Sequence, residues 1–159
     1  MEKRIEIYTD GSSRGNPGNG GYGILMRYGS NVKEFSQGFR LTTNNRMELL
    51  AVIVALEQLK TNSLPIVVFS DSKYVIDSIS KGWVLGWVKI GFKGKKNADL
   101  WKRYLRIQGQ FNITFQWVRG HHGHPENERC DQLAVSAALS NNLLIDEAYE
   151  MEEKKLPFN

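Results

Sequence analysis

The chain has 159 residues, of which 41% are hydrophobic and 24% are charged. This composition excludes a disordered chain, and the length suits one globular domain with a sizeable core. The single Cys excludes an intrachain disulfide and a thiolate zinc site, and no apolar run approaches the roughly 20 residues of a membrane span. Because the N-terminus also lacks a signal-peptide pattern, we expect a cytoplasmic, monomeric protein that does not contact a membrane.

The spacing of apolar residues predicts strands first, and then helices that alternate with further strands. The first half of the chain contains predicted strands over 4–9, 22–28 and 32–39, a Gly-rich loop over 11–23, a helix over 44–60 and a buried strand over 66–70. The second half contains predicted helices after Asp71 and over 83–88, 98–107 and 126–139, and a strand over 113–118. This order is typical of an α/β protein.

Two acidic residues, Asp10 and Asp71, follow predicted strands that a helix separates in the sequence. A right-handed crossover makes these strands parallel neighbours, so both carboxylates lie at the edge of the sheet where ligands bind. Two carboxylates about 4 Å apart repel by roughly 4 kcal/mol at an effective dielectric of about 20, and a divalent cation reverses that repulsion. Because the ligands are hard oxygens, the pattern indicates Mg²⁺, with Mn²⁺ as a substitute, and not Zn²⁺.

Each acidic residue taken alone also fits a structural role. Asp10 and Asp71 suit a turn or a helix N-cap, and Glu48 suits a capping box with Asn45, three residues earlier. Asp131 suits a solvated position near the positive end of a helix. Two opposed acids at strand ends favour the metal site over these separate roles.

Residues 81–106 contain eight basic residues and one acidic residue, interleaved with Trp83, Trp87, Phe92 and Trp101. Such a block is typical of a surface that neutralises phosphates and stacks on sugars or bases. It also fits a solvated helical face on which Trp83, Trp87 and Ile90 form a core stripe. The block alone leaves both interpretations open.

Two loops and one cysteine are the remaining candidate functional sites. The segment 18–23 matches G-x-G-x-x-G, but it precedes a predicted strand and not a helix, so a dinucleotide site is excluded. The Gly-flanked histidine loop over 120–125 fits proton transfer near neutral pH better than zinc binding. Cys130 is expected to be a small buried residue and not a nucleophile.

Several longer motifs occur in one order along residues 4–140. They are Tyr8–Ser12 with Gly15–Gly18, Thr42–Leu49, Ser70–Ser72, Asn97–Trp101 and Trp117–Asp131. On these motifs the sequence closely resembles ribonuclease H of the bacterial type 1 class. The resemblance implies the ribonuclease H-like α/β fold, a five-stranded mixed sheet in the order 3-2-1-4-5 flanked by helices. Residues 1–142 are then one catalytic domain, and the acidic segment 143–159 is expected to be a mobile tail.

The resemblance also implies an activity. Members of this family are metal-dependent endoribonucleases that hydrolyse the RNA strand of RNA–DNA hybrids and leave 3′-hydroxyl and 5′-phosphate ends. By this resemblance Asp10, Glu48, Asp71 and Asp131 bind two Mg²⁺ ions around the scissile phosphate. His121 matches a family histidine that assists proton transfer or product departure.

The resemblance places further residues against the hybrid. Thr43 and Asn97 match a pocket for a DNA-strand phosphate, and Trp83 matches the aromatic surface under the DNA sugars. The RNA strand is distinguished through its 2′-hydroxyl groups. The resemblance places the backbone around Gly11–Ser13 and the side chains of Asn16, Asn44 and Glu48 in the minor groove. The full set of implied nucleic-acid contacts is Gly11, Ser12, Asn16, Thr43, Asn44, Lys73, Trp83, Lys93, Lys95, Lys96 and Asn97.

Some positions depart from the family pattern, and two other functions remain open. Lys73 stands where Gln is frequent, Leu41 where a basic residue is frequent, and Gly82 looks like an insertion. These departures affect substrate contacts and not the four carboxylates. The other two functions are a catalytically silent hybrid-binding module and a DNA nuclease or strand-transfer enzyme built on the same sheet.

Overall fold

The computed structural model describes residues 3–120 and 123–155. The strands are β1 (Ile5–Arg14), β2 (Gly18–Tyr28), β3 (Asn31–Thr42), β4 (Ile66–Ser70), β5 (Ile113–Trp117) and β6 (Leu143–Leu144). The helices are α1 (Asn44–Glu57), α2 (Lys73–Ser80), α3 (Trp83–Lys89), α4 (Ala98–Gln108), α5 (Pro125–Ala138) and α6 (Glu147–Lys154). The strands form one sheet in the order β5-β4-β1-β2-β3-β6. The predicted five-strand order is therefore confirmed, and β6 adds a short sixth strand beside β3.

The sheet is mixed, as the crossover argument predicts. Strands β1, β2 and β3 form antiparallel pairs, whereas β4 pairs in parallel with both β1 and β5. Strands β1 and β2 are longer than predicted, because the Gly-rich segment after Asp10 continues the ladder, with Gly11 opposite Tyr22 and Ser12 opposite Gly21. The prediction of a loop over 11–23 was therefore wrong for most of that segment.

Helix α1 is the central element of the core. The side chain of its N-cap residue, Thr43, accepts a hydrogen bond from the Arg46 backbone N–H at 3.3 Å, which satisfies one free donor of the first turn. Nine of its residues are buried, and the helix packs against β1, β2 and α4. A helix that is apolar on nearly all faces belongs inside a domain, which accounts for its place between the sheet and α4.

Trp101 on α4 belongs to this core, which corrects its expected place among the surface aromatics of the basic block. Its side chain is fully buried, and its indole N–H donates to the Tyr74 hydroxyl at 2.8 Å. Phe92 is buried as well, whereas Trp83 is exposed. The core-stripe interpretation also fails for Ile90, which is exposed. Burial of a large ring removes about 150–250 Å² from water, so the core retains these aromatics.

Helix α5 packs on β1, β2 and β3. At Gly23 the backbone of the helix comes so close to β2 that an added Cβ would collide with the Cys130 carbonyl oxygen. Cys130 is buried, as predicted, and its S–H donates to the Tyr8 carbonyl at 3.2 Å. Burial raises the pKa of this thiol to about 12, so Cys130 is not a nucleophile at neutral pH.

The C-terminal segment, for which we predict a mobile tail, contains β6 and α6. After β6, the buried Asp146 accepts hydrogen bonds from Thr42 Oγ1 at 2.8 Å and from Arg46 Nε at 2.7 Å. The Arg46 guanidinium also forks onto Asp99 at 2.7 and 2.9 Å. A buried guanidinium between two carboxylates is a strong, geometrically specific anchor, and it fixes the start of α6 against α1. Residues 156–159 lie outside the described residues.

Within the described part of the chain, no helix is both long enough and apolar enough to cross a membrane.

Candidate active site

Three carboxylates meet at the edge of the sheet where β1 and β4 run side by side. Asp10 lies in β1 opposite Gly23 of β2, Asp71 follows the last residue of β4, and Glu48 lies on α1. One oxygen from each carboxylate lies within 4.8 Å of the others. We call these three residues the acidic cluster. Its position agrees with the sheet edge that the parallel pairing predicts for Asp10 and Asp71.

The backbone around the cluster excludes the structural roles considered for its members. Ser72, and not Asp71, caps α2, since its hydroxyl accepts from the Val75 N–H at 3.1 Å. Thr43 caps α1, which leaves Glu48 free of a capping box. A Cβ on Gly11 would collide with the α1 backbone at Met47 and Glu48. The missing side chain at Gly11 therefore lets α1 bring Glu48 against β1.

The electrostatics of the cluster are unfavourable without a cation. Burial and the charge of Asp71 raise the pKa of Asp10. Burial, together with the charges of Asp10 and Asp71, raises the pKa of Glu48 well above its ordinary value. Across the described residues, neither Asp10 nor Glu48 forms an ion pair with a Lys or Arg side chain. Asp10 and Glu48 are thus buried acids that have no Lys or Arg counter-charge among the described residues.

The donors present fit a divalent cation. All are carboxylate oxygens, which suit Mg²⁺ or Mn²⁺ and lack the nitrogen and sulfur donors typical of zinc sites. Glu48 Oε2 is buried and has no hydrogen-bond partner among the residues that the structure describes. The Gly11 N–H donates to Asp10 Oδ1 at 3.0 Å and orients that carboxylate. An unpartnered buried carboxylate oxygen is the kind of atom that a bound metal satisfies.

The fourth predicted carboxylate lies beside the cluster and not within it. Asp131 is a half-buried residue of α5, and its charge contributes to the raised pKa of Asp10. The loop after β5 also approaches the cluster, since a Cβ on Gly120 would lie 2.7 Å from Asp71 Oδ2. His121, the predicted proton-transfer residue, follows Gly120 but lies outside the described residues, as does His122.

Trp117 is a neighbour of the cluster that we did not single out from the sequence. Its indole N–H donates to the Asp71 backbone carbonyl at 3.1 Å. The Lys73 ammonium lies 4.2 Å from the centroid of the Trp117 ring, a cation–π distance. Trp117 therefore supports the segment that carries Asp71. Its sequence signals are its place in the strand predicted over 113–118 and its place at the start of the motif Trp117–Asp131.

The residues expected in the minor groove form one network at the ends of β1 and β3. The Asn16 side-chain oxygen accepts from the Asn44 backbone N–H at 3.2 Å, and the Ser13 hydroxyl donates to Asn44 Oδ1 at 2.9 Å. Gly11 and Ser12 lie on the same stretch of β1. The structure thus brings these predicted contacts together next to Asp10.

Five predicted nucleic-acid contacts line a single groove of about 1120 Å³. They are Asn16, Thr43, Lys95, Lys96 and Asn97. Lys102 and Arg106 of α4 line it as well, and so do Tyr149, Glu152 and Glu153 of α6. We call this the basic groove, and we call Lys95, Lys96, Lys102 and Arg106 its four cations. Arg46 lines the groove too, but it is paired with Asp99 and Asp146. The predicted contacts Lys73, Trp83 and Lys93 lie outside it.

Asn97 is held firmly in the basic groove. It adopts a left-handed backbone conformation with φ of 65° at the start of α4. Its side-chain amide donates to the Tyr74 hydroxyl at 3.0 Å, and its oxygen accepts from Arg46 Nη1 at 3.3 Å. Both ends of the amide are therefore occupied within the protein, which fixes the orientation of Asn97.

A family model described as RNase H matches residues 2–139 of the chain. The chain belongs to the ribonuclease H family. Ribonuclease H of Desulforamulus reducens is 53% identical over 149 residues, which cover 91% of this chain and 93% of the relative. Ribonuclease H of Rippkaea orientalis is 50% identical over 153 residues, with 93% of each chain covered.

Solved structures of ribonucleases H agree with this assignment. LC9-RNase H1, a type 1 RNase H, matches with a TM-score of 0.76 at 30% identity, over 98% of this chain and 83% of its own. LC11-RNase H1, crystallised in complex with an RNA/DNA hybrid, matches with a TM-score of 0.62 at 26% identity, over 92% and 99% of the two chains. The chain therefore has the family's sheet, together with a largely buried acidic cluster suited to a divalent cation.

Proposed function

We propose that this chain is an endoribonuclease that hydrolyses the RNA strand of RNA–DNA hybrids and leaves 3′-hydroxyl and 5′-phosphate ends. The observation that carries the proposal is the buried acidic cluster in a chain of the ribonuclease H family. The relative LC11-RNase H1, crystallised with an RNA/DNA hybrid, supports the choice of substrate. Residues 1–142 would form the catalytic domain.

Asp10, Glu48, Asp71 and Asp131 would hold two Mg²⁺ ions, which Mn²⁺ can replace. Bound ions of this kind activate a water nucleophile and neutralise charge on the phosphate and on the leaving oxygen. The protein supplies a desolvated set of oxygens and holds them in place. The Gly11 N–H orients Asp10, and Trp117 supports the segment of Asp71. His121 would assist proton transfer or product departure.

The two strands of the hybrid would contact different surfaces. The network of Ser13, Asn16 and Asn44 beside Asp10 offers amide and hydroxyl groups that can read 2′-hydroxyls of the RNA strand. The basic groove would take phosphates of the DNA strand. The exposed ring of Trp83 would pack under the DNA sugars.

One cleavage experiment tests this function against the two other candidates. The protein is incubated with a hybrid, duplex DNA, duplex RNA and each single strand, with Mg²⁺ and with a chelator. We expect RNA cleavage in the hybrid alone, and only with Mg²⁺. Equal cleavage of duplex DNA would instead indicate a DNA nuclease, and hybrid binding without any product would indicate a silent binding module.

The salt dependence of hybrid binding tests the role of the basic groove. We expect Lys95→Ala with Lys96→Ala to reduce the slope of log K against log salt by about 1 to 2, because each lysine that neutralises a phosphate contributes roughly 0.7–0.9 to the slope. The measurement is fluorescence anisotropy of a labelled hybrid over a salt series.

Lys33→Ala with Lys60→Ala provides the matched control. These lysines line a different cavity, next to Met26 and Leu59. The control variant removes the same charge from the chain, and we expect its slope to equal that of the wild type. If both double variants change the slope equally, net charge and not the groove determines binding.

A further inference from the structure

The basic groove has an acidic component that a phosphate-binding surface does not need. Glu152 and Glu153 of α6 line the same groove as its four cations. Among residues 3–120 and 123–155, none of the four cations forms an ion pair with a carboxylate. Glu152 pairs instead with Lys155, its neighbour one turn along, at 3.5 Å. Arg46 and Asp99, which also line the groove, pair with each other at 2.7 Å, whereas Glu152 and Glu153 form no ion pair with any of the four cations among the described residues.

The position of these carboxylates is fixed by anchors at the start and in the middle of α6. Asp146 binds the buried Arg46 guanidinium through two hydrogen bonds, of 2.7 and 2.9 Å. Glu150 forms a forked ion pair with Arg40 at 2.8 and 2.9 Å. The Arg46 guanidinium also lies 5.8 Å from the centroid of the Tyr149 ring. Because α6 is held at these points, Glu152 and Glu153 remain beside the groove when a polyanion enters.

A phosphate in the groove is therefore attracted by the four cations and repelled by Glu152 and Glu153. Coulomb energies between charges several ångströms apart at a hydrated surface correspond to a few-fold change in affinity for each charge. Salt screens charges that are farther apart than the Debye length, which is about 10 Å at 0.1 M and about 3 Å at 1 M.

We propose that Glu152 and Glu153 set the affinity of the groove for nucleic acid by repelling the DNA-strand phosphates that the four cations attract. This inference rests on the proposed function, because it takes the hybrid as the polyanion in the groove. The two carboxylates weaken substrate binding at low salt and leave the acidic cluster unaffected. They act as affinity-determining residues and not as catalytic residues.

The test compares isosteric variants on one helix. Glu152→Gln with Glu153→Gln removes the two groove carboxylates, and Glu147→Gln removes an exposed carboxylate of α6 that does not line the groove. Steady-state cleavage of a hybrid with Mg²⁺ gives KM and kcat over a salt series. We expect the double variant to lower KM about four- to twentyfold at low salt, with kcat within about twofold, and this gain to disappear at high salt. Glu147→Gln should change KM less than twofold.

The outcomes separate this inference from the proposed function. The repulsive role of α6 is overturned if KM in the double variant is unchanged or raised, or if Glu147→Gln lowers KM equally. In either case, hybrid cleavage by the wild type still supports the proposed function. If the wild type does not cleave the hybrid, the function fails. Anisotropy of a labelled hybrid in chelator then still measures whether the double variant binds more tightly than Glu147→Gln.

Discussion

Asp10→Asn is expected to lower the rate of hybrid cleavage by more than about 100-fold, because loss of a direct metal ligand should exceed the 10- to 100-fold effects of residues that only support such ligands. The same change is expected to stabilise the metal-free protein by about 2 kcal/mol. Asp10 is buried beside Asp71 and Glu48, so the amide removes a desolvated charge and the repulsion it causes. Cleavage kinetics with Mg²⁺ and urea unfolding in chelator measure the two effects.

Asp77→Asn is the control for this prediction. Asp77 lies on α2 and pairs with Lys81 one turn later at 3.7 Å, away from the acidic cluster. Its replacement should change stability by less than about 0.5 kcal/mol and leave cleavage intact. Added Mg²⁺ should raise the Tm of the wild type and of Asp77→Asn more than that of Asp10→Asn. Full activity of Asp10→Asn would refute the assignment of the site.

Arg46→Ala is expected to destabilise the protein by about 3–5 kcal/mol, since removal of one partner from a buried ion pair leaves an uncompensated charge. Arg46 is 3% exposed and joins Asp146 at the start of α6 to Asp99 on α4. The variant also removes a donor to the Asn97 side chain. In a chain of this length the loss corresponds to a fall in Tm of roughly 10 °C, measured by circular dichroism.

Arg103→Ala tests whether burial, and not the loss of an arginine, causes the effect. Arg103 makes an equally forked pair with Glu57 at 2.6 and 2.8 Å, but both side chains are partly exposed. Solvent screens such a pair, so its removal should cost no more than about 1 kcal/mol. Equal losses in the two variants would contradict the role of Arg46 as a buried anchor.

The sequence predicts the central sheet and the positions of Asp10 and Asp71, because general rules of strand connection relate the order of strands in the chain to their pairing in the sheet. Crossover handedness makes β1 and β4 parallel neighbours, and that pairing alone brings Asp10 to Asp71. Glu48 is different, since its place depends on contact between the α1 backbone and Gly11. The spacing of apolar residues along the chain does not predict that contact. Only the family motif indicates that Glu48 belongs with the other two.

The C-terminal segment shows where sequence patterns stop being informative. Its acidic composition predicts solvation, yet Asp146 is buried, where it pairs with Arg46, a residue distant in the chain. Trp101 is a similar case. Its basic neighbours suggest a surface position, whereas its ring packs between Tyr74 and Tyr104 in the core. In both cases a tertiary partner overrides the local composition.

The acidic cluster draws its members from β1, from α1 and from the end of β4, which are remote from one another along the chain. No fragment that lacks the complete sheet can reproduce this arrangement of oxygens. Affinity for the ion is consequently coupled to global unfolding. We therefore expect partial opening that separates these elements to abolish metal binding and nuclease activity while other parts of the domain remain folded. Partly unfolded molecules would then lack nuclease activity.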